Sequence, residues 1–150
     1  MTRAIRLSIE NVNSGRGGPF GAVIVKDGDL VAEGTNQVAS TKDPTAHAEM
    51  LAIRAACAKF GTFDLHGCEI YTSCEPCPMC LGAIYWARLS RVYFANAAVD
   101  ASSIGFDDSL IYREIPLPIA QRAIPMIQMM REQALAAFQA WQEKPNKIVY

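Results

Sequence analysis

The sequence predicts an α/β sandwich, with helices on both faces of a central sheet. Three observations carry that expectation. Short apolar runs rich in Val and Ile alternate with Ala- and Leu-rich runs of helical character. Asp27-Gly28 falls between two such apolar runs, the residue pair that a tight hairpin demands. No long Ser/Gly/Pro linker, charge block or internal repeat divides the 150 residues, so one domain over 1–150 is expected, with 131–150 as a C-terminal helix and tail.

In order along the chain, Ile5, Ile9 and Val12 recur at helical spacing and predict an N-terminal helix ended by Gly15 and Gly17-Gly18-Pro19. Phe20–Lys26 reads as a buried strand and Leu30–Val38 as its returning partner. Residues 39–45 read as loop, with Asp43-Pro44-Thr45 preparing a helix start. Residues 46–60 predict a helix stopped by Gly61, and Glu69–Ser73 a short strand. Pro76 opens a helix over about Cys77–Arg88, followed by a strand at Arg91–Ala95 and a short helix at Asp107–Arg113. Ala123–Met129 is read as a fifth strand despite Pro125, and Arg131–Glu143 as a last amphipathic helix.

Composition excludes several classes. Hydrophobic residues make up 51% of the chain and the net charge is −1, an ordinary globular balance without the basic excess of a protein built to hold long nucleic acid. The N-terminal segment mixes Arg3, Arg6 and Glu10 into its apolar residues, so no secretory signal is read there, and no apolar run approaches the ~20 residues that span a bilayer. Five cysteines, three of them within Cys74–Cys80, fit metal chemistry in a reducing, cytoplasmic setting better than a disulfide framework.

The chemistry concentrates in His47-Ala48-Glu49 and Pro76-Cys77-Pro78-Met79-Cys80. Thiols three residues apart at a helix start share one face, and the helix dipole favours their thiolate forms. An imidazole from His47 completes a three-ligand zinc site whose fourth position is free for a water or hydroxide. Glu49, two residues from His47, reaches that water without ligating the metal and serves as the proton shuttle. H-x-E followed by P-C-x-x-C is the signature of zinc-dependent base deaminases. Cys74 forms a second C-x-x-C with Cys77, and as a fourth ligand it would close the site and make the zinc structural. Its place before Pro76 directs it away from the other two thiols. Cys57 and Cys68 read as ordinary buried residues, Arg88 and Arg91 as solvated, and the Met126–Met130 cluster as packing. The Gly-rich run 15–21 lacks the spacing of a phosphate cradle and reads as a tight helix-to-strand turn.

These motifs, DPTAHAE (43–49) and EPCPMC (75–80), resemble the cytidine deaminase-like superfamily. Within it, GGPFGAVIVKDG (17–28), TSCEPCPMCLGAIYWAR (72–88), IGFDDSLIYREI (104–115) and FQAWQ…Y (138–150) resemble the short, zinc-dependent bacterial guanine deaminases. The resemblance implies a three-layer α/β/α fold with a five-stranded mixed sheet and one zinc per chain. It also implies hydrolytic conversion of guanine to xanthine and ammonia. A homodimer follows from it as well, in which C-terminal segments cross to close the partner's site. It maps substrate contacts onto Asn36, Phe20, Asp108 and Tyr150, each with a physical rationale. Asp108 can accept hydrogen bonds from guanine N–H groups, Asn36 can donate and accept, and Phe20 offers a ring for stacking, with Trp86 as a larger wall nearby. One of Asp107 and Asp108 is also suited to cap the following helix. Three other readings stay open: a tRNA adenosine deaminase, a deaminase of another small ring such as cytosine, a triazine or a pterin, and a non-enzymatic zinc module using Cys74.

Overall fold

A computed structural model describes residues 1–149. Its internal contacts separate a unit over Met1–Ser109 from a second beginning at Leu110. The first unit runs α1 (Thr2–Asn13), β1 (Gly21–Lys26), β2 (Asp29–Thr35), α2 (Val38–Thr41), α3 (Ala48–Phe60), β3 (Cys68–Cys74), α4 (Pro78–Trp86), β4 (Arg91–Asn96) and α5 (Ala98–Ser103). The strands form one mixed sheet in the order β2-β1-β3-β4, with β1 antiparallel to both neighbours and β3 parallel to β4.

Side chains alternate across β1 as the two-residue period requires. Ala22 and Ile24 enter a core with Ala52, Ile53 and Ala56 of α3, Ile70 of β3 and Ile84 of α4. Val23 packs the other way, against Ala4 and Leu7 of α1. Helices therefore cover both faces, as expected. The hairpin between β1 and β2 turns on Asp27 and Gly28, both at positive φ (51° and 88°), the geometry that the Asp-Gly pair allows. Gly61 stops α3 as expected, and does so as a left-handed cap at φ 66°.

Several expectations need correction. The sheet has four strands among the described residues, not five: residues 123–129 form no regular strand. Pro125 lacks a backbone donor, and the unit that contains it is otherwise helical, with α6 (Ser109–Glu114) at its start, a 3-10 turn at Ile119–Gln121 and α7 (Arg131–Glu143). A strand exists only by pairing, and the unit supplies no other strand. The second strand stops at Thr35 rather than Val38, because the Asn36 side-chain oxygen accepts the Val38 N–H and turns the chain. Two short helices, α2 and α5, lie where loop was read or nothing was assigned. The face of α1 that packs is Ala4, Leu7, Ser8 and Asn11, whereas Ile5, Ile9 and Val12 are exposed. The Met126–Met130 cluster does not pack either: Met126, Met129 and Met130 are all exposed. Among the described residues no helix is long and apolar enough to cross a membrane.

Candidate active site

Two helix starts converge on one point. His47 is the N-cap of α3 and Cys77 the N-cap of α4, both in extended backbone conformation, with Pro78 at the first position of α4. The expected helix opening at Pro76 is thus shifted by two residues, and the thiols occupy N-cap and third positions of the same first turn. Nδ1 of His47 lies 3.6 Å from Cys77 Sγ and 3.5 Å from Cys80 Sγ. A tetrahedral zinc with ordinary Zn–N and Zn–S bonds places such atoms roughly 3.6 Å apart, so both nitrogen–sulfur distances match those of a metal tetrahedron. The ligand atoms of His47, Cys77 and Cys80 all fall within 4.8 Å of one another.

The donor chemistry fits the metal as well. The Cys77 sulfur accepts from the Cys80 thiol, from His47 and from the Cys80 backbone N–H, which bring its pKa down to about 4. Cys80 is pushed the other way, by giving its hydrogen bond to Cys77 and by burial. The two sulfurs thus stand close enough to share a proton, and a bound cation would take that proton's place. The bond to Cys77 raises His47.

Glu49 sits in the first turn of α3 and is 7% exposed. Burial raises its carboxyl above the ordinary range, which suits a group that must hold a proton as well as take one. The backbone sets its position. Gly34 of β2 faces α3 so closely that a Cβ there would come within 2.1 Å of the Ala48 carbonyl oxygen. Only glycine lets the start of α3 seat that deep.

Cys74 stands apart from the three ligands. Its thiol donates to the Ala97 carbonyl at 3.7 Å, and burial pushes it up to about 11, so it stays a neutral thiol. Cys68 is buried and Cys57 half-buried, in line with the sequence reading. Arg88 and Arg91 are exposed, each with an acidic neighbour, Asp64 and Glu69 respectively.

Asn36 is buried just after β2. Its Oδ1 accepts the Gly18 and Val38 N–H groups at 3.2 and 3.3 Å, which leaves the amide nitrogen to donate. Asn11, wholly buried on α1, donates to the carbonyls of Gly18 and Asn36 at 2.9 and 2.8 Å and holds the same turn. Phe20 is half-buried and meets Phe106 edge-on with ring centroids 4.9 Å apart. Asp108, half-buried, has its carboxyl raised by burial and by the negative charge of Cys77 nearby, while Asp107 Oδ1 takes the Ser109 N–H at the start of α6. The helix-capping role thus falls to Asp107. Trp86, the last residue of α4, is 65% exposed. Tyr150 lies outside the described residues. Beside Phe20 and Cys74 a cavity of about 320 Å³ opens, lined also by Asn96, Asp100 and Ile104.

Sequence reasoning missed Asn11 and the Phe106 ring. Asn11 announced itself only as a polar residue on a helix, and the meeting of Phe106 with Phe20 is a tertiary contact without a local signature.

Comparison with known proteins places these features. Residues 1–96 match the family described as the cytidine and deoxycytidylate deaminase zinc-binding region. Over all 150 residues the chain is 55% identical to the guanine deaminase of Bacillus subtilis, covering 96% of that protein. The crystal structure of a Bacillus subtilis guanine deaminase superposes with a TM-score of 0.96 at 56% identity, over 99% of this chain and 95% of that one. A guanine deaminase structure from Nitrosomonas europaea gives a TM-score of 0.67 at 32% identity, over 93% of this chain and 80% of that one. The tRNA-specific adenosine deaminase of Aquifex aeolicus is 49% identical over 77 residues, about half of each chain.

Proposed function

The chain belongs to the cytidine and deoxycytidylate deaminase family, and from that premise we propose that it deaminates guanine hydrolytically, yielding xanthine and ammonia. The observation that carries the substrate is the reach of the likeness. Sequence similarity to a guanine deaminase runs through all 150 residues at 55% identity, whereas sequence similarity to tRNA-specific adenosine deaminases covers about half to 60% of the chain. A net charge of −1 also gives a polynucleotide little to hold.

One zinc held by His47, Cys77 and Cys80 supplies a Lewis acid that makes water nucleophilic near neutral pH. Glu49 takes a proton from the water that attacks C2 of guanine and delivers it to N3. The second proton of that water passes by way of Glu49 to the departing amine. The C2–N bond then breaks and ammonia leaves, so one water is consumed for each xanthine formed. Asn36 donates through its amide nitrogen to an acceptor on the purine edge, and Asp108 accepts from ring N–H groups. A base with acceptors at that edge meets an unpaired, half-buried carboxylate and is disfavoured. Phe20 stacks on the ring, with Trp86 as an outer wall.

The active form in this reading is a homodimer whose C-terminal segments, 131–150, exchange so that Tyr150 closes the partner's site. Support comes from exposure: no residue from Leu110 to Val149 is buried within the chain, although the segment includes Ile124, Ile127, Met129 and Phe138. Five free cysteines suit the reducing cytoplasm.

The test is ammonia and xanthine formation from guanine by purified protein, with zinc measured on the same sample. Turnover with about one zinc per chain is expected. Full zinc with turnover only of a tRNA anticodon stem–loop, cytosine, a triazine or a pterin would overturn the substrate while keeping the chemistry.

A further inference from the structure

Glu75 lies between the thiolate motif and the segment that carries Asp108, and the chemistry above leaves it unused. Its backbone N–H donates to the Asn96 carbonyl at 2.8 Å, and its Oε2 accepts the Ala98 N–H at 3.0 Å. The residue before it, Cys74, donates its thiol to the Ala97 carbonyl. Three consecutive residues, Asn96, Ala97 and Ala98, are therefore held by two residues at the end of β3, immediately ahead of the metal-binding thiols.

This turn is where the chain leaves β4 and enters α5. A helix of six residues has little stability of its own and takes its position from what grips its ends. Within the turn, Asp100 Oδ2 accepts the Ala97 N–H at 2.8 Å. Beyond α5, the N–H groups of Gly105 and Phe106 return to the carbonyls of Ser102 and Ala101, and Phe106 seats against Phe20. Asp108 follows two residues later and lies within electrostatic reach of both Cys77 and Glu75. A carboxylate accepting a backbone N–H is a charge-assisted bond, about twice as strong as a neutral one, and the Ala98 amide it satisfies is half-buried.

We infer that Glu75 is a positioning residue: it fastens the β4–α5 turn to the metal-binding motif and thereby sets where Asp108 stands relative to the reacting centre. The inference rests on Asp108 contacting the substrate. Its effect belongs to substrate binding and discrimination, since His47 and Glu49 stand on α3 and Cys80 within α4.

Steady-state kinetics with guanine on Glu75→Ala, Glu75→Gln, Asp108→Ala and the Glu75→Ala/Asp108→Ala double variant, with zinc assayed on each, test it. Glu75→Ala raises KM roughly tenfold, as expected for loss of a hydrogen bond to a charged group, and keeps its zinc. Glu75→Gln, whose amide oxygen still accepts from Ala98, recovers most of that loss. The double variant is no worse than Asp108→Ala alone, because a residue acting through another adds nothing once that other is gone. An unchanged KM in Glu75→Ala, a Gln variant as impaired as the Ala one, additive losses, or zinc lost in step with activity would each overturn the positioning role. An Asp108→Ala enzyme with unaltered KM would overturn the reading of Asp108 as well, which additive losses would leave standing.

Discussion

Isoleucine reaches a core in only one of the two units of this chain. Ile24 and Ile70, in the first, are 0% exposed; Ile124 and Ile127, in the second, are 78% and 82% exposed. The first unit pairs four strands and lays helices on both of their faces, so the apolar side chains between the layers find counterparts within about 110 residues. The second consists of helices and irregular chain that buries nothing from Leu110 to Val149. Its exposed Ile124, Ile127, Met129 and Phe138 are the residues a partner would cover in the proposed dimer. The contrast separates two parts: the first unit brings His47, Glu49, Cys77 and Cys80 together from its own residues, and the second is the part on which the proposed dimer rests.

The largest expected effect strikes the first part and spares the second. Glu49→Gln should lower kcat by about two to four orders of magnitude, the range for loss of general acid–base catalysis, while zinc content and oligomeric state stay as they were. Retained turnover would remove Glu49 from the proton path. Next in size is a mixing experiment that isolates the second part. Tyr150→Ala and Glu49→Gln proteins, each expected to be strongly impaired alone, are combined under conditions that allow subunits to exchange. If tails cross, one site of each hybrid dimer receives both an intact Glu49 and an intact Tyr150, and xanthine formation recovers. If each tail serves its own chain, the mixture stays impaired.

Stability sharpens the comparison further. Ile24→Ala should cost about 2–5 kcal/mol by chemical denaturation, the range for truncating a buried side chain. Ile127→Ala should cost under about 0.5 kcal/mol within the chain. Its effect belongs in the dimer dissociation constant, read by analytical ultracentrifugation. Equal losses in unfolding would erase the distinction between the units.

The smallest effect concerns the Arg3–Glu33 pair between α1 and β2, a two-pronged contact at 2.6 Å for each bond. Those bonds hold the Glu33 carboxyl below its ordinary range, so folding favours its charged form. The stabilisation is present above the ordinary carboxylate pKa and disappears as pH falls through the lowered one. Glu33→Gln should therefore reduce Tm slightly at neutral pH, with the gap to the parent closing in strong acid. A gap that widens in acid would contradict the sign.

What could be read from the sequence was local. Cys77 and Cys80 were legible because ligand spacing within one helical turn fixes geometry without any tertiary knowledge, and His47 through the H-x-E pattern that accompanies such a thiol pair. The first hairpin was legible because Asp27 and Gly28 suit two consecutive positive φ angles. The packed face of α1 was not, and the reason is size. A Cβ on Gly21 would stand 2.5 Å from the Ala4 carbonyl oxygen, so α1 approaches the sheet over its small residues, and the bulky Ile5 and Ile9 are turned outward. The absent fifth strand failed for a related reason: a run of Ile and Met can look like a strand, but pairing is decided by what lies beside it. Phe106 and Asn11 likewise took their roles from partners distant in sequence.

The close seat of α3 over Gly34 has a further consequence. Because a main-chain carbonyl rests against a main-chain glycine, the position of Glu49 is specified by that backbone contact and the packed face of Ala52, Ile53 and Ala56, and not by the exposed side of the helix. Arg54, Ala55 and Ala58 on its open side are thereby released from any duty to the reaction. Such a helix can change its surface over evolutionary time, acquiring new charge or new neighbours, while its proton-carrying residue stays where it was.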